Sequence, residues 1–359
     1  MTVRYARAPS QPFLALFQDG GLLHALTEPL ACIVAGHPVW LDLQFRKSDE
    51  AMLYCGQTRL LVVTMQQDSV RVDAHQTYRK QSASAYIRGS WPFATPGAAF
   101  SQGLRAYLEQ IEVAPRWTRS EGAVQSRWMQ NDPAIKADLP WRSIDREAVL
   151  TYAGDALSSA SPTTVQMQNA NSAVSLLASS EAWSQPSIRD EANELDQIAI
   201  SNDGQQLVLI ELKPRDGAKA FYAPLQLARY ALEWATALTG PDRGTTVADV
   251  NAVAGAQRKI GLGRATSDLS SSPTVRPIIG FNDPPTREVL RRISLVWATI
   301  ANLVAHSLIL PPEVWAWPDG DQPRKLLALN RHLTKGKGAA ADDPCNRDGV
   351  PRWDDRAEL

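Results

Sequence analysis

The 359-residue sequence has few of the residues that build zinc sites and disulfide frameworks. Its three cysteines, Cys32, Cys55 and Cys345, lie far apart and form no Cys-x-x-Cys pair. An odd number of distant cysteines argues against a disulfide scaffold and against a zinc knuckle. The five histidines are also scattered, and no two of them have the spacing His-x-x-x-His. The composition therefore disfavours a zinc hydrolase.

The sequence also lacks an excess of charge of either sign, because 37 lysine and arginine residues nearly balance 38 aspartate and glutamate residues. A strongly basic chain would by itself indicate a nucleic-acid-binding protein. Here any contact with phosphate groups must come from local groups of basic side chains.

Long apolar runs are missing as well. The longest, residues 295–310, is interrupted by Asn302 and His306 and is shorter than the ~20 apolar residues that a membrane-spanning helix needs. The N-terminal residues include Arg4 and Arg7 but no apolar core that ends at a small-residue cleavage site, so we expect no secretory signal. We therefore expect a cytoplasmic protein without a membrane partner.

Two regions with different patterns follow one another along the chain. Between residues 12 and 78, short stretches such as 39–45 alternate apolar and polar residues, a pattern typical of β-strands. We expect a β-rich N-terminal domain over residues 1–153, and the pattern leaves open whether it recognises substrate, senses a ligand or binds a protein partner. Residues 153–164 are small and polar, which favours a domain boundary there.

The second region, residues 154–333, mixes helical and strand patterns and predicts an α/β fold in which helices flank a mixed sheet. Residues 240–273 have the composition of a long loop or an insertion. Residues 334–359 are rich in glycine, alanine and charge, which predicts a weakly ordered tail. The expected helix, strand, strand, helix, strand and helix are 165–183, 195–201, 207–213, 224–238, 275–281 and 286–308.

The strand 207–213 carries charge at its end although most of it is apolar. Glu211 and Lys213 are two residues apart, so the alternation of side chains along a strand places both on one face. Val208, Ile210 and Leu212 then point to the other face. Charged groups in such a position must be paired, metal-bound or solvated.

A third charged residue, Asp196, lies on the preceding strand. Residues 202–204 (Asn-Asp-Gly) suit a tight turn between the two strands. If Ile198 and Ile200 pair with Leu207 and Leu209, Asp196 lies at the same end of the sheet as Glu211. The two carboxylates then converge.

Two carboxylates at one point can hold Mg²⁺ or Mn²⁺, with water and a phosphate oxygen in the remaining coordination positions. A bound divalent ion lowers the pKa of its water, and a lysine beside it can orient or deprotonate this nucleophile. Asp196, Glu211 and Lys213 are therefore candidate catalytic residues for phosphodiester hydrolysis. The alternative is an exposed strand end with a Glu-Lys ion pair, which is worth little in water.

Asp196, followed after fourteen residues by Glu211-Leu212-Lys213, resembles the PD-(D/E)XK nuclease superfamily. Residues 226–230 (Gln-Leu-Ala-Arg-Tyr) resemble the Gln-x-x-x-Tyr motif of its RecB-like members, and this spacing places both motif residues on one helix face. The resemblance covers about residues 160–308. One departure is Leu195, which stands where the motif is named for proline.

The resemblance implies a restriction-endonuclease-like fold whose core is a helix, three strands, a helix and a strand. It implies that Gln226 helps to hold the site and that Tyr230 approaches the substrate backbone. The family often adds a glutamate from the preceding helix. Glu181 is the preferred candidate for this additional metal ligand, and Glu194 competes with it because it lies two residues before Asp196.

Basic residues near these motifs, Arg215, Lys219 and Arg229, are candidates for contact with nucleic-acid phosphates. Together these features predict a magnesium-dependent hydrolase that cleaves nucleic acid, of the kind used in restriction, repair or antiviral (anti-phage) defence. They favour DNA as the substrate and leave RNA open. Two alternatives stay open: a catalytically silent binding or scaffolding protein with a nuclease fold, and a nuclease that a ligand or partner activates through the N-terminal domain. A homo-oligomer or a protein partner bound through that domain is also compatible with the sequence.

Overall fold

The computed structural model is an α/β protein with two six-stranded sheets, a two-stranded ribbon and flanking helices. The predicted combination of a β-rich sheet and a mixed sheet with helices is confirmed at this level. The structure describes residues 3–118, 121–129, 138–152, 162–186, 195–215, 217, 219–262, 266–318 and 322–329.

The secondary-structure elements are numbered in chain order. The strands are β1 (Val3–Arg4), β2 (Ala31–Val34), β3 (His37–Lys47), β4 (Glu50–Cys55), β5 (Thr58–Met65), β6 (Ser69–Ala74), β7 (Gly89–Pro92), β8 (Trp141–Ala148), β9 (Thr151–Tyr152), β10 (Leu195–Ser201), β11 (Gln206–Lys213), β12 (Thr274–Phe281), β13 (Glu313–Ala316) and β14 (Arg324–Ala328). The α-helices are α1 (Gln11–Ala15), α2 (Gly97–Gln110), α3 (Glu121–Trp128), α4 (Pro162–Ser180), α5 (Ala223–Thr239), α6 (Arg243–Lys259) and α7 (Arg287–Ile300).

The first sheet is an antiparallel meander in which β2 to β7 pair in chain order. The alternating residues of β3 and β5 place Leu43, Phe45 and Val63 in a core that Phe100 and Leu104 of α2 cover. The predicted strands between residues 12 and 78 are therefore present, because a period of two gives each strand one apolar face to bury.

The second sheet has the strand order β14-β13-β12-β11-β10-β8. Strand β10 is antiparallel to both of its neighbours, β8 and β11. Strands β11, β12 and β13 run parallel, and β14 is antiparallel at the edge. In the hairpin, Ile198 lies opposite Leu209 and Ile200 lies opposite Leu207, which confirms the predicted register.

The two faces of this sheet are covered by different elements. On one face, α5 packs on β11 and β12 and is surrounded by α4, α6 and α7. On the other face, Val208, Ile210 and Leu212 pack against Trp128 of α3 and Trp141 of β8. This separation confirms that Val208, Ile210 and Leu212 point away from the face that carries Leu207 and Leu209.

Residues 240–273 differ from the prediction of a long loop, because they contain α6. Its sequence mixes alanine, a strong helix former, with threonine, valine and glycine, which are weak ones. The helix is stabilised by burial of Val247, Val250 and Val253 in the core of the second sheet. Tertiary packing therefore adds to a local propensity that is mixed along this segment. The predicted helix 286–308 is shorter than expected and ends at Ile300.

The division between the sheets does not coincide with the predicted boundary at residues 153 and 154. Strand β8 precedes that point, yet it pairs with β10 in the second sheet. Helix α3 packs on β11, and Tyr5 meets the Trp234 ring of α5 edge to face. Residues before the boundary thus build part of the second sheet's core. Glu194, the tail 334–359 and most of the segment 153–164 lie outside the described residues.

The helices in the described part of the chain do not combine the length and the apolarity that a membrane crossing requires.

Gly280 on β12 sits where a side chain would collide with the sheet's aromatic face. A Cβ at this position would lie 2.7 Å from Leu212 Cδ2 and 3.0 Å from Trp128 Cζ2. The missing side chain lets the Trp128 ring approach the strand and holds α3 against β11. We expect Gly280→Ala to lower the free energy of unfolding by about 1–3 kcal/mol, because overpacking forces the ring or the strand to move.

Urea denaturation measures this change, and Gly244→Ala is the matched control. Gly244 lies in α6, where no neighbouring atom would come within 4 Å of the added Cβ. Alanine there should leave stability unchanged or raise it by up to ~1 kcal/mol through helix propensity. Equal effects of the two substitutions would contradict the packing argument.

Candidate active site

Asp196 and Glu211 meet at one end of the β10–β11 hairpin. Gln197 lies opposite Ile210, and continuing this antiparallel register by one residue places Asp196 opposite Glu211. Side chains of directly opposed residues lie on the same face and a few ångströms apart. The backbone N–H of Leu212 donates to Asp196 Oδ2 at 2.7 Å, which ties the carboxylate to β11.

Glu211 and Lys213 form an ion pair in which Lys213 Nζ donates to Glu211 Oε1 at 2.5 Å. The Glu211 side chain is only 5% exposed and that of Lys213 only 14%. The alternative of an exposed strand end with a weak surface salt bridge therefore does not describe this pair. A pair this deeply buried has lost most of its hydration, so removal of one partner leaves an uncompensated charge.

The electrostatics of the site favour an additional cation. Burial raises the pKa of the Asp196 carboxyl above its usual range, and the Lys213 ammonium and the Leu212 N–H offset this only in part. The Lys213 ammonium acts on both carboxylates, Asp196 and Glu211, and the Arg146 guanidinium also acts on Asp196. A divalent ion would add positive charge beside two buried carboxylates, and carboxylate oxygens are the ligands that Mg²⁺ and Mn²⁺ prefer. The donor set thus fits such an ion.

Helix α5 brings Tyr230 to the same point. Its side chain is buried, and burial raises the pKa of the phenol, with further increases from the charges of Glu211 and Asp196. The hydroxyl therefore stays protonated at neutral pH and can act as a hydrogen-bond donor. Gln226 lies one turn earlier on α5 and is half-buried.

Glu181 does not join Asp196 and Glu211. Helix α4 ends at Ser180, and the Glu181 carboxylate beyond it pairs with Arg291 of α7 at 3.3 Å, where both side chains are partly exposed. No group of three or more acidic, histidine or cysteine side chains able to hold a metal occurs within the described ranges. The expectation of Glu181 as a third ligand is therefore corrected, because a guanidinium on the neighbouring helix holds its carboxylate. Its competitor, Glu194, is among the residues that are not described.

The three predicted basic contacts differ in their surroundings. Arg215, just beyond β11, is exposed. Lys219 is also exposed, and its Nζ donates to the Gln185 carbonyl at 3.2 Å. Arg229 is largely buried and pairs with Glu233 on the same helix at 3.3 Å. Arg215 and Lys219 can therefore reach an approaching phosphate group, whereas the charge of Arg229 is balanced within α5.

Two residues that the sequence interpretation missed also belong to the site. Gln125 Nε2 on α3 donates to Asp196 Oδ1 at 3.2 Å, and the Arg146 guanidinium on β8 donates to Gln125 Oε1. Gln125 is 71 residues from Asp196 in the chain. No local motif marks either residue, so only the packing of α3 and β8 on the hairpin reveals them.

The raised pKa of Asp196 has a consequence for stability. A carboxyl with a higher pKa in the folded protein than in the unfolded chain binds its proton more tightly when folded. The wild type therefore loses stability as the pH rises from the ordinary carboxyl value of 3.8 through the folded pKa. We expect Asp196→Ala to gain stability relative to the wild type as the pH rises from 3.8 towards the raised folded pKa, whatever the difference in stability between the two proteins at low pH.

Denaturation in EDTA over pH values that extend from neutral to below 3.8 measures the effect, and Asp203 provides a control of opposite sign in the same hairpin. Hydrogen bonds from the Ser201 hydroxyl and the Gln205 N–H lower the pKa of Asp203. Its contribution is present above the unfolded pKa and is lost as the pH falls through the folded one. Asp203→Ala should therefore lose stability relative to the wild type as the pH rises from the lowered folded pKa to 3.8, and should show no further change above it. Curves of the same sign for both variants would refute the assignment.

No family model, curated protein or solved structure matches the chain.

Proposed function

We propose that this chain is a metal-dependent nuclease of the PD-(D/E)XK type that hydrolyses phosphodiester bonds of DNA. The observation that carries the proposal is the convergence of Asp196, Glu211 and Lys213 at one end of a hairpin, with the Tyr230 phenol within range of the charges of both carboxylates.

The arrangement of the second sheet supports this proposal. Strand β10 pairs antiparallel with β8 and β11, the helices α5 and α6 follow, and β12 then pairs with β11 in parallel. This order is similar to the three strands, helix and strand that the resemblance implies, with Asp196 and Glu211-x-Lys213 on the middle and last of the three strands. Two departures are that α4 lies between β8 and β10 rather than before the three strands, and that a second helix, α6, precedes β12.

In this proposal Asp196 and Glu211 would hold one Mg²⁺ or Mn²⁺ ion. The ion would lower the pKa of water and offset negative charge on the phosphate. The Lys213 ammonium, held by Glu211, donates a hydrogen bond to the attacking water and orients it. The Tyr230 hydroxyl, which stays protonated, donates a hydrogen bond to a phosphate oxygen.

The exposed basic residues after β11 suit a polyanionic substrate. Arg215 and Lys219 lie between the Glu-x-Lys strand and α5, beside the proposed centre. Cationic side chains at such a position contact phosphates without reading bases, so they would position the substrate rather than select a sequence.

A second function, binding or scaffolding without cleavage, has one observation in its favour. The described residues offer two acidic ligands rather than three, and one Glu211 oxygen already accepts from Lys213. Calorimetric titration with Mn²⁺ separates the two functions, because a competent centre binds the ion and Glu211→Ala removes the signal. A wild-type protein that binds DNA but does not bind Mn²⁺ and does not cleave DNA would favour the scaffolding function.

Purified protein with plasmid or linear DNA and Mg²⁺ tests the nuclease directly. We expect cleavage that EDTA abolishes and that Asp196→Ala, Glu211→Ala and Lys213→Ala each reduce by about 100-fold or more, since each removes a group that stabilises the transition state. Single-turnover gel assays measure the cleavage rate. The same assay with RNA of the same sequence compares cleavage of the two nucleic acids.

Two exposed residues far from the site give matched controls for these variants. Glu109 on α2 and Lys259 at the end of α6 are exposed, and their replacement by alanine should leave cleavage unchanged. Activity that survives Asp196→Ala or Lys213→Ala would remove these side chains from the mechanism and point to a contaminating nuclease.

A further inference from the structure

A fully buried arginine lies where the two sheets meet. The Arg146 side chain on β8 has no exposed surface, and its guanidinium lies 4.5 Å from the ring centroid of Tyr54 on β4. Asp42 Oδ2 on β3 is 3.8 Å from Arg146 Nη1. A buried cation is costly unless neighbouring groups compensate its charge. The first sheet therefore supplies the compensation for an arginine of the second sheet.

Arg146 determines which way the Gln125 amide faces. A guanidinium carries only donors, so the amide oxygen must face Arg146 and the amide nitrogen must face Asp196. The backbone of Gln125 is fixed as well, because Gln197 Nε2 on β10 donates to its carbonyl at 3.1 Å. The amide cannot rotate to present its oxygen to Asp196 without losing the arginine.

Both oxygens of the Asp196 carboxylate are consequently held by donors. Oδ1 accepts from Gln125 Nε2 at 3.2 Å and Oδ2 accepts from the Leu212 N–H at 2.7 Å. Groups that hold a ligand's orientation tune the affinity of a metal centre as strongly as many ligands do. The connection continues into the first sheet, where Gln44 Nε2 donates to Asp42 Oδ1 at 2.7 Å.

We propose that Gln125 and Arg146 are positioning residues for Asp196, and that the first sheet completes the metal centre through Asp42. This inference rests on the proposed function, since it concerns the same carboxylate. It assigns the first sheet a role in the nuclease itself: the sheet fixes the buried charge that orients one of the two ligands.

Gln125→Met tests the inference, because methionine has a similar size but donates no hydrogen bond to Asp196. We expect the affinity for Mn²⁺, measured by calorimetry, and kcat to fall by about 10- to 100-fold, with KM for DNA nearly unchanged. The Mn²⁺-induced rise in Tm should shrink in parallel.

Gln257→Met is the matched control. Gln257 is also a buried glutamine, and it donates to the Ile144 carbonyl of the same strand, β8, without a link to Asp196. The Gln257→Met substitution should lower Tm without changing Mn²⁺ affinity or kcat. Equal losses of Mn²⁺ affinity in both variants would reduce Gln125 to a structural role and overturn the inference.

Asp42→Asn tests the part played by the first sheet. It should weaken Mn²⁺ binding in the wild-type background and have no further effect when Gln125 is already methionine, because one connection carries both effects. Additive losses would overturn the role of the first sheet. One outcome would overturn this inference alone: the wild type binds Mn²⁺, Glu211→Ala abolishes the binding, and Gln125→Met leaves the affinity unchanged. If the wild type does not bind Mn²⁺, both this inference and the proposed function are overturned.

Discussion

The antiparallel pairing of β10 with β11 is the constraint on which the rest of the site depends. Residue-by-residue register places Asp196 opposite Glu211 at the end of the hairpin. A slip of one residue would move Asp196 away from Glu211 and would exchange the apolar side chains of the slipped strand between the two cores. The apolar residues of the hairpin thus fix the chemistry at its end, because their burial on two different cores permits a single register.

The buried charged groups at the end of the hairpin depend on one another for their stability. Glu211 is buried with Lys213 as its partner, and burial raises the pKa of Asp196 despite the nearby ammonium group. Such a site costs folding free energy at neutral pH, and an added divalent ion would relieve the cost. A site that is strained without its ligand and relaxed with it is typical of functional centres, which are where proteins depart from their most stable arrangement.

Buried polar groups join the two sheets alongside apolar contacts such as those of Ala256 of α6, and of Ile260 just after this helix, with the core of the first sheet. Arg46 on β3 donates to Asp145 of β8 at 2.9 Å, and Arg146 beside it lies against Asp42 and Tyr54. Buried ion pairs contribute little net stability, but they are specific in geometry. Strand β8 therefore connects the first sheet to Asp196 by a chain of ion pairs and hydrogen bonds, and its position at the sheet edge leaves it free to make them.

The sequence by itself determined the hairpin, its register and the shared face of Glu211 and Lys213, because a period of two and an Asp-Gly turn are local properties. It did not determine α6, the membership of β8 in the second sheet or the partner of Glu181. Helix α6 forms through burial against neighbouring helices, and the charged β8 becomes a strand because groups distant in the chain neutralise it. Only the tertiary structure could bring Gln125 to Asp196, since long-range contacts leave no periodicity in the sequence.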